Sequence, residues 1–306
     1  MENPYLSLTR VRAALRALDL RPTRELGQNF LIDETALATI VGAAELSRAD
    51  TVVEVGPGLG VLTWELLGRA GHVISVELDP RLAERLRHEL AGQPHFTLVQ
   101  GDILRQSTEQ LLHNLAALPI IQRDSQFSAL DSRYKVVANL PDAITSAALR
   151  HFLEAEAKPA LIVVLVQWEV AERITAGPGD LSVLAHSVQL YARPEIVARI
   201  PAASFFPAPA VDSAVLRLHI RPAPAVAVPI TPLMRLIKAG FLQSRKKLSN
   251  ALPTGLAAMG TPIDKERALA ALAAAGIDPG RRAETVLLEE WARLYAALVG
   301  LASPGA

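Results

Sequence analysis

A strand-forming run that ends in closely spaced glycines, Thr51-Val52-Val53 followed by Glu54-Val55-Gly56-Pro57-Gly58-Leu59-Gly60, constrains this chain more than any other stretch. Glycine has no Cβ, so the turn can take positive φ and a ligand can approach main-chain N–H groups at the start of the next helix. A second apolar run, His72-Val73-Ile74-Ser75-Val76, ends in Glu77 about 20 residues beyond Gly56. A nucleotide-binding βαβ unit places there the carboxylate that holds ribose hydroxyls. Together the two runs predict a parallel α/β fold that binds a nucleotide-type cofactor.

The 306 residues suffice for two domains, or one large domain with an appendage, and half are apolar, which predicts a compact core. No uninterrupted apolar run reaches the roughly 18 residues of a membrane span. The start Met1-Glu2-Asn3-Pro4 lacks the layout of a secretory signal, so a soluble, cytoplasmic protein is expected. Cysteine is absent, which excludes disulfides, thiolate metal sites and cysteine nucleophiles. With 31 basic and 31 acidic residues the chain is not basic throughout, although local patches can still meet a nucleic acid.

Residues 1 to about 48 read as helical, with Leu8, Val11, Leu15 and Leu18 at helical spacing and Arg10, Arg12, Arg16 and Arg21 beside them, a basic arm. From Thr51 to about Val197, β-rich runs at 52–55, 73–78, 97–99, 136–138 and 161–166 alternate with helical patterns, as in a mostly parallel sheet covered on both faces. Between Asp102 and Lys135 a helix and a surface loop are expected. Val211–Leu218 alternates as a strand, and the Pro/Ala/Val segment from Arg221 to Pro232 reads as a linker. Helical patterns then occupy Leu233–Leu252, Lys265–Ala275 and Glu284–Leu298, punctuated by Pro253-Thr254-Gly255 and by Gly276-Ile277-Asp278-Pro279. The expected division is a cofactor-binding domain over 1–222 and a small helical domain over 223–306.

The run Phe96–Gly101 offers a third strand, and Asp102 at its end is placed to accept a bond from the exocyclic amine of an adenine ring. The next strand, Lys135–Ala138, ends in Asn139-Leu140-Pro141. An amide oxygen and a neighbouring carbonyl, held rigid by proline, can accept both protons of an aromatic amine and aim its lone pair at an electrophile. A nicotinamide dehydrogenase also uses a glycine loop and a following acid, but Asn139-Leu140-Pro141 with Asp102 speaks against it. None of the seven histidines stands out as a substrate histidine with a carboxylate partner.

These motifs, in this order, closely resemble the S-adenosylmethionine-dependent ribosomal RNA adenine N6-dimethyltransferases, in particular those acting on small-subunit RNA. The resemblance covers nearly the whole chain. It includes Leu26-Gly27-Gln28-Asn29-Phe30-Leu31, the Glu54–Gly60 loop, Glu77-Leu78-Asp79, Gly101-Asp102 and Asn139-Leu140-Pro141. It continues through Glu169–Arg173, Phe205–Val215, and Phe241–Leu252 with Arg245-Lys246-Lys247 and Asn250. It implies a Rossmann-like methyltransferase domain in which Asn29, Leu31 and Gly56 contact the cofactor, Glu77 takes the ribose hydroxyls and Asp102 the adenine amine. Asn139 marks the place where methyl donor and target base meet, with Leu140 and Pro141 in the same catalytic motif and Phe205 stacking on the base. Arg245, Lys246, Lys247, Arg235 and Lys238, with the arginines of the N-terminal arm, are expected to meet RNA phosphates. Methyl transfer from a sulfonium needs no metal, since the leaving thioether is neutral, and positioning and electrostatics supply most of the acceleration. A monomer is expected, because no heptad or self-complementary edge is visible.

The sequence also departs from the resembled pattern. The catalytic tetrapeptide normally ends in tyrosine and here ends in Asp142, followed by Ala143 where a polar or aromatic residue is usual. Trp168 and Ala210 stand where the family commonly carries lysine. The cofactor side is complete and the target-base side is altered, which predicts impaired turnover. Two alternatives stand beside this reading: a cofactor-binding biogenesis factor that docks on the immature small ribosomal subunit without catalysis, and a small-molecule methyltransferase, which fits the basic helices poorly.

Overall fold

The structure, a computed structural model, describes residues 3–20, 29–116 and 134–300. Leu26-Gly27-Gln28, Arg21 and the part of the expected surface loop over 117–133 lie outside these residues.

The chain divides into two compact units, Met1–Ala171 with Pro194–Ile220 and Glu172–Arg193 with Arg221–Ala306. In the first, α1 (Leu8–Ala17), β1 (Phe30–Leu31) and α2 (Glu34–Ala43) precede the alternating series β2 (Thr51–Val55), α3 (Val61–Arg69), β3 (His72–Glu77), α4 (Pro80–Glu89) and β4 (Phe96–Gln100). The series goes on through α5 (Thr108–Ala116), β5 (Tyr134–Asn139), α6 (Thr145–Glu154) and β6 (Leu161–Gln167). The chain passes through α7 (Trp168–Thr175) and, in the second unit, α8 (Val183–Gln189) before β7 (Ala192–Ile200), β8 (Phe205–Phe206) and β9 (Ser213–Ile220).

The main sheet has the order β4-β3-β2-β5-β6-β9-β7. The pairs β3/β4, β2/β3, β2/β5 and β5/β6 are parallel, and β9 runs antiparallel to β6. Every residue of β2 and β3, and Leu161–Val166 of β6, is buried, as strands covered on both faces must be, and such strands read as continuous apolar runs. Sequence order climbs from β2 to β4 in one direction and resumes at β5 in the other. The carboxyl ends of β2 and β5 therefore flank a switch point, where open α/β sheets leave a crevice. The helices over the sheet start on definite caps: the Asp33 carboxylate accepts from the N–H groups of Thr35 and Ala36 at α2, and Asp79 accepts from Arg81 at α4, where Pro80 supplies a preset φ. On the inner face of α2, Leu37, Ile40 and Val41 are buried, each worth roughly 1.5–3 kcal/mol of removal from water. β1 and β8 form a separate antiparallel pair with Leu31 opposite Phe205.

The second unit contains α8 and the helices α9 (Ile230–Phe241), α10 (Leu248–Ala258), α11 (Lys265–Ala274) and α12 (Leu288–Gly300). Trp291 of α12 is wholly buried beside His186 of α8. Residues 172–193, which the linear reading assigned to the first domain, belong to this unit. The N–H groups of Gly179 and Leu181 donate to Glu284 O, and the His186 ring bonds to Val286 O at 2.9 Å, ties across a hundred residues that no local pattern announces. The helical pattern over 233–252 is two helices, and Pro253-Thr254-Gly255 lies inside α10 rather than breaking it. Pro253 forfeits one i→i−4 bond, and burial of Ala251, Leu252, Gly255 and Leu256 offsets that loss. β7 does not show in the sequence as an apolar run, because its exposed face carries Arg193, Glu195, Val197 and Arg199.

Candidate functional site

β2 runs into the glycine loop at the switch point. Gly56, Gly58 and Gly60 take φ of +65°, +59° and +88°, a region costly for any side chain, and Gly60 caps α3. The loop is locked to the next strand. Gly56 N–H donates to Val76 O, and Gly58 N–H donates to the Glu77 carboxylate at 3.0 Å. The second oxygen of Glu77 accepts from Asp79 N–H at 2.8 Å, so the acid at the end of β3 is held in one orientation by backbone alone. Burial pushes the Glu77 carboxyl up, and the Asp79 and Gly58 amides oppose that shift.

Asp102, beyond β4, caps a single short turn by accepting from Leu104 N–H at 3.0 Å. Asn139, the last residue of β5, donates its side-chain amide to Asn29 O at 3.2 Å. That bond joins residues 110 apart and brings the N-terminal segment to the sheet end. Pro141 O accepts from the Thr145 hydroxyl and from Ile144 N–H, which stiffens the turn after the Asn-Leu-Pro motif, while buried Leu140 extends the ladder by donating to Leu165 O.

Two cavities meet here. Asn29, Leu31, Gly56, Glu77, Asp102 and Asn139 all line one of about 370 Å³, together with Pro141 and Ala143. A second, of about 20 Å³, shares Asn29 and Asn139 with it and is also lined by Leu140, Asp142, Gln167, Phe205 and Val211 among others. Arg245, Lys246 and Lys247 belong to the other unit, exposed at the start of α10, where Lys247 is the N-cap.

Glu54 is a further residue of the site, beyond those the sequence marks. It is 1% exposed, lines the larger cavity, and accepts from the Thr63 and Ser75 hydroxyls at 2.7 and 2.6 Å. Its signal in the sequence is an acid inside a strand buried on both faces. Burial pushes its carboxyl up to about 7, the two hydroxyl bonds oppose this, and the charge of Glu77 adds to it. Among the described residues no cluster of three or more potential metal ligands occurs.

The sequence model of the family described as ribosomal RNA adenine dimethylase matches residues 20–298. The chain belongs to the ribosomal RNA adenine dimethylase family. A relative, ribosomal RNA small subunit methyltransferase A of Dehalococcoides mccartyi strain CBDB1, is 43% identical over 288 residues, 94% of this chain and 92% of its own length. Among solved structures, the 23S rRNA methyltransferase ErmE is 30% identical with a TM-score of 0.63, covering 89% of this chain and 100% of that one. A dimethyladenosine transferase from Plasmodium falciparum shares the fold, at 22% identity and a TM-score of 0.68 over 87% of this chain and 95% of its own.

In this dimethylase-family chain three of the four departures from the resembled pattern line the smaller cavity or stand next in sequence to residues that do. Asp142 lines it and accepts from the Gln167 side-chain amide at 2.6 Å. Trp168 follows Gln167 directly, and Ala210 sits between the lining residues Pro209 and Val211. Ala143 lines the larger cavity.

Proposed function

We propose that the chain binds S-adenosylmethionine in the 370 Å³ cavity and transfers methyl groups to the N6 amines of adenines in small-subunit ribosomal RNA, with turnover lowered by Asp142 and Ala143. The observation that carries this reading is the pair of cavities sharing Asn29 and Asn139 as their common wall, in a chain of this family. The residues of the larger cavity fit the cofactor. The glycine loop leaves backbone within reach, Glu77 offers a fixed carboxylate, Asp102 an acceptor, and the carboxyl groups of Glu54 and Glu77 complement a positively charged ligand. When bound, S-adenosylmethionine supplies a methyl group on a positively charged sulfur and leaves as a neutral thioether.

On the acceptor side, Asn139 and the rigid turn at Pro141 hold the amine in line while its nitrogen lone pair forms the new N–C bond, and the surplus proton passes to water. Phe205 offers an aromatic wall. Asn29 and Leu31 close the N-terminal side of the larger cavity, and Arg245, Lys246 and Lys247 meet RNA phosphates. The small-subunit substrate is favoured over a large-subunit one by the 43% identity to the small-subunit enzyme against 30% to ErmE. The protein acts in the cytoplasm, as a monomer, on the immature small subunit.

Loss of the aromatic at 142 removes about 1–3 kcal/mol of base stacking, more than a hundredfold in rate at the upper end if it is felt in the transition state. A second reading, docking on the immature subunit without catalysis, draws support from the Asp142–Gln167 bond across a cavity of only about 20 Å³. Transfer of labelled methyl to unmethylated small subunits separates the two, with the chain compared to its Asp142→Tyr, Ala143→Asn double variant. The double variant is expected to be at least tenfold faster. Equal rates would overturn the account of the acceptor side, and no transfer by either protein would leave the docking reading.

A further inference from the structure

We infer that Trp168, backed by Arg199, is a stacking platform for an unpaired RNA base at the rim of the acceptor cavity, standing in for the aromatic that position 142 lacks. The inference rests on the proposed RNA substrate and names the contact that this chain uses to hold it.

Two backbone connections put Trp168 at the rim. It directly follows Gln167, which lines the cavity and donates to Asp142, and its own N–H donates to Asp212 O at 2.9 Å, between the lining residues Val211 and Ser213. The guanidinium of Arg199 lies 4.5 Å from the centre of the Trp168 ring. That guanidinium is held in place: its Nε donates to Asp212 at 2.9 Å, and the other Asp212 oxygen accepts from Ala202 N–H at 3.0 Å. The Ala202 amide, followed by Arg199, keeps the Asp212 carboxyl below its ordinary range, so the acid at this rim is ionised and matched by a cation.

A half-buried indole with a guanidinium stacked on it joins the two properties that single-stranded nucleic acid is bound by, a π-surface for the base and a cationic side chain for its phosphate. The Arg199 side chain is 57% exposed, within reach of a phosphate as well as of the ring. Trp168 itself is half-buried.

The cavity cannot do this work as it stands. About 20 Å³ is room for one water molecule, and the Gln167–Asp142 bond spans it. Pro209 and Val211 line this cavity together with Asn139, and Trp168 follows its lining residue Gln167. Val211, 45% exposed, adds apolar surface next to Asp212, to which the Trp168 N–H is bonded. Replacement of the usual lysine by tryptophan at 168 and of tyrosine by aspartate at 142 then reads as one exchange. The aromatic has moved from the floor of the pocket to its lip.

The test uses the full chain with two probes, unmethylated small subunits in filter binding and a short oligoadenylate followed by tryptophan fluorescence. Oligoadenylate is expected to quench the parent saturably. Trp168→Phe should keep affinity for the subunit within about threefold while losing most of that quench, and Trp168→Ala should weaken subunit binding roughly five- to hundredfold, the range that removal of one stacked aromatic produces. Retention of the Phe variant excludes misfolding as the cause. The platform is overturned if Trp168→Ala binds like the parent, or if the quench survives in Trp168→Phe. Failure of the parent itself to bind small subunits would instead overturn the proposed substrate, so the two ideas fail by different results.

Discussion

Glu54 carries an electrostatic cost that its neighbours do not cancel. Its ordinary value is 4.5 and burial raises it to about 7 in the folded chain. Below the unfolded value the acid is neutral in both states and costs nothing. As pH rises toward 7, the folded chain holds a proton that the unfolded chain has released, and stability falls; above 7 the loss is complete at about 3 kcal/mol. Glu54→Gln removes that titration. Urea unfolding at pH 5 and pH 8 should show the parent losing more stability between the two values than the variant, and identical losses would mean that Glu54 is ionised without penalty. Glu77, two residues beyond the cross-strand partner of Glu54, is raised for the same reason but held by two amides, which marks it as the fixed acid of the pair. Glu77→Gln keeps the shape and deletes the charge. S-adenosylmethionine affinity measured by calorimetry should fall about tenfold or more, in keeping with the loss of a charge-assisted hydrogen bond.

The elements pack more tightly than their propensities require. A Cβ built on Gly255 of α10 would lie 2.0 Å from Ala239 O and 2.6 Å from Ala239 C, both backbone atoms of α9 that cannot turn aside. Gly255→Ala is therefore expected to force the two helices apart and to destabilise the second unit by about 2 kcal/mol or more. Thermal unfolding followed through Trp291 would reveal it, and an unchanged midpoint would show that α9 and α10 can part freely. In the sequence this glycine, next to Pro253 and Thr254, looks like punctuation between helices. The local rule was sound and the context overrode it, because a glycine excluded from helices by propensity is admitted where another backbone presses on it. The strands of the main sheet were legible for the opposite reason. Fully buried parallel strands must be apolar throughout, so 51–55, 72–77 and 161–167 announce themselves, whereas β7, with Arg193, Glu195, Val197 and Arg199 exposed, does not.

With equal numbers of basic and acidic residues, the whole molecule has no net charge to draw it to RNA, and affinity must come from where the charges lie. Arg245, Lys246 and Lys247 are exposed together at the N-terminal end of α10, where the helix dipole also favours an anion. Changing all three to alanine should weaken binding to small subunits and lower the slope of log affinity against log salt by about 2, given roughly 0.7–0.9 per phosphate contact. Binding measured across a salt series checks this, and an unaltered slope would exclude the patch. Residues carried at the ends of strands were readable from the chain alone: Gly56, Glu77, Asp102 and Asn139 follow apolar runs, and in a parallel sheet the carboxyl ends of such runs share one edge. Contacts between distant segments were not. The bond from Asn139 to Asn29, the pairing of Leu31 with Phe205, the closure of Asp142 by Gln167 and the stacking of Arg199 on Trp168 join residues 25 to 174 positions apart or, in the last case, on different elements. No periodicity encodes them, because each depends on how whole elements pack. Backbone rules acting over a few residues therefore specified the edge of the sheet that lines the larger cavity, and long-range packing alone set the shape of the smaller one.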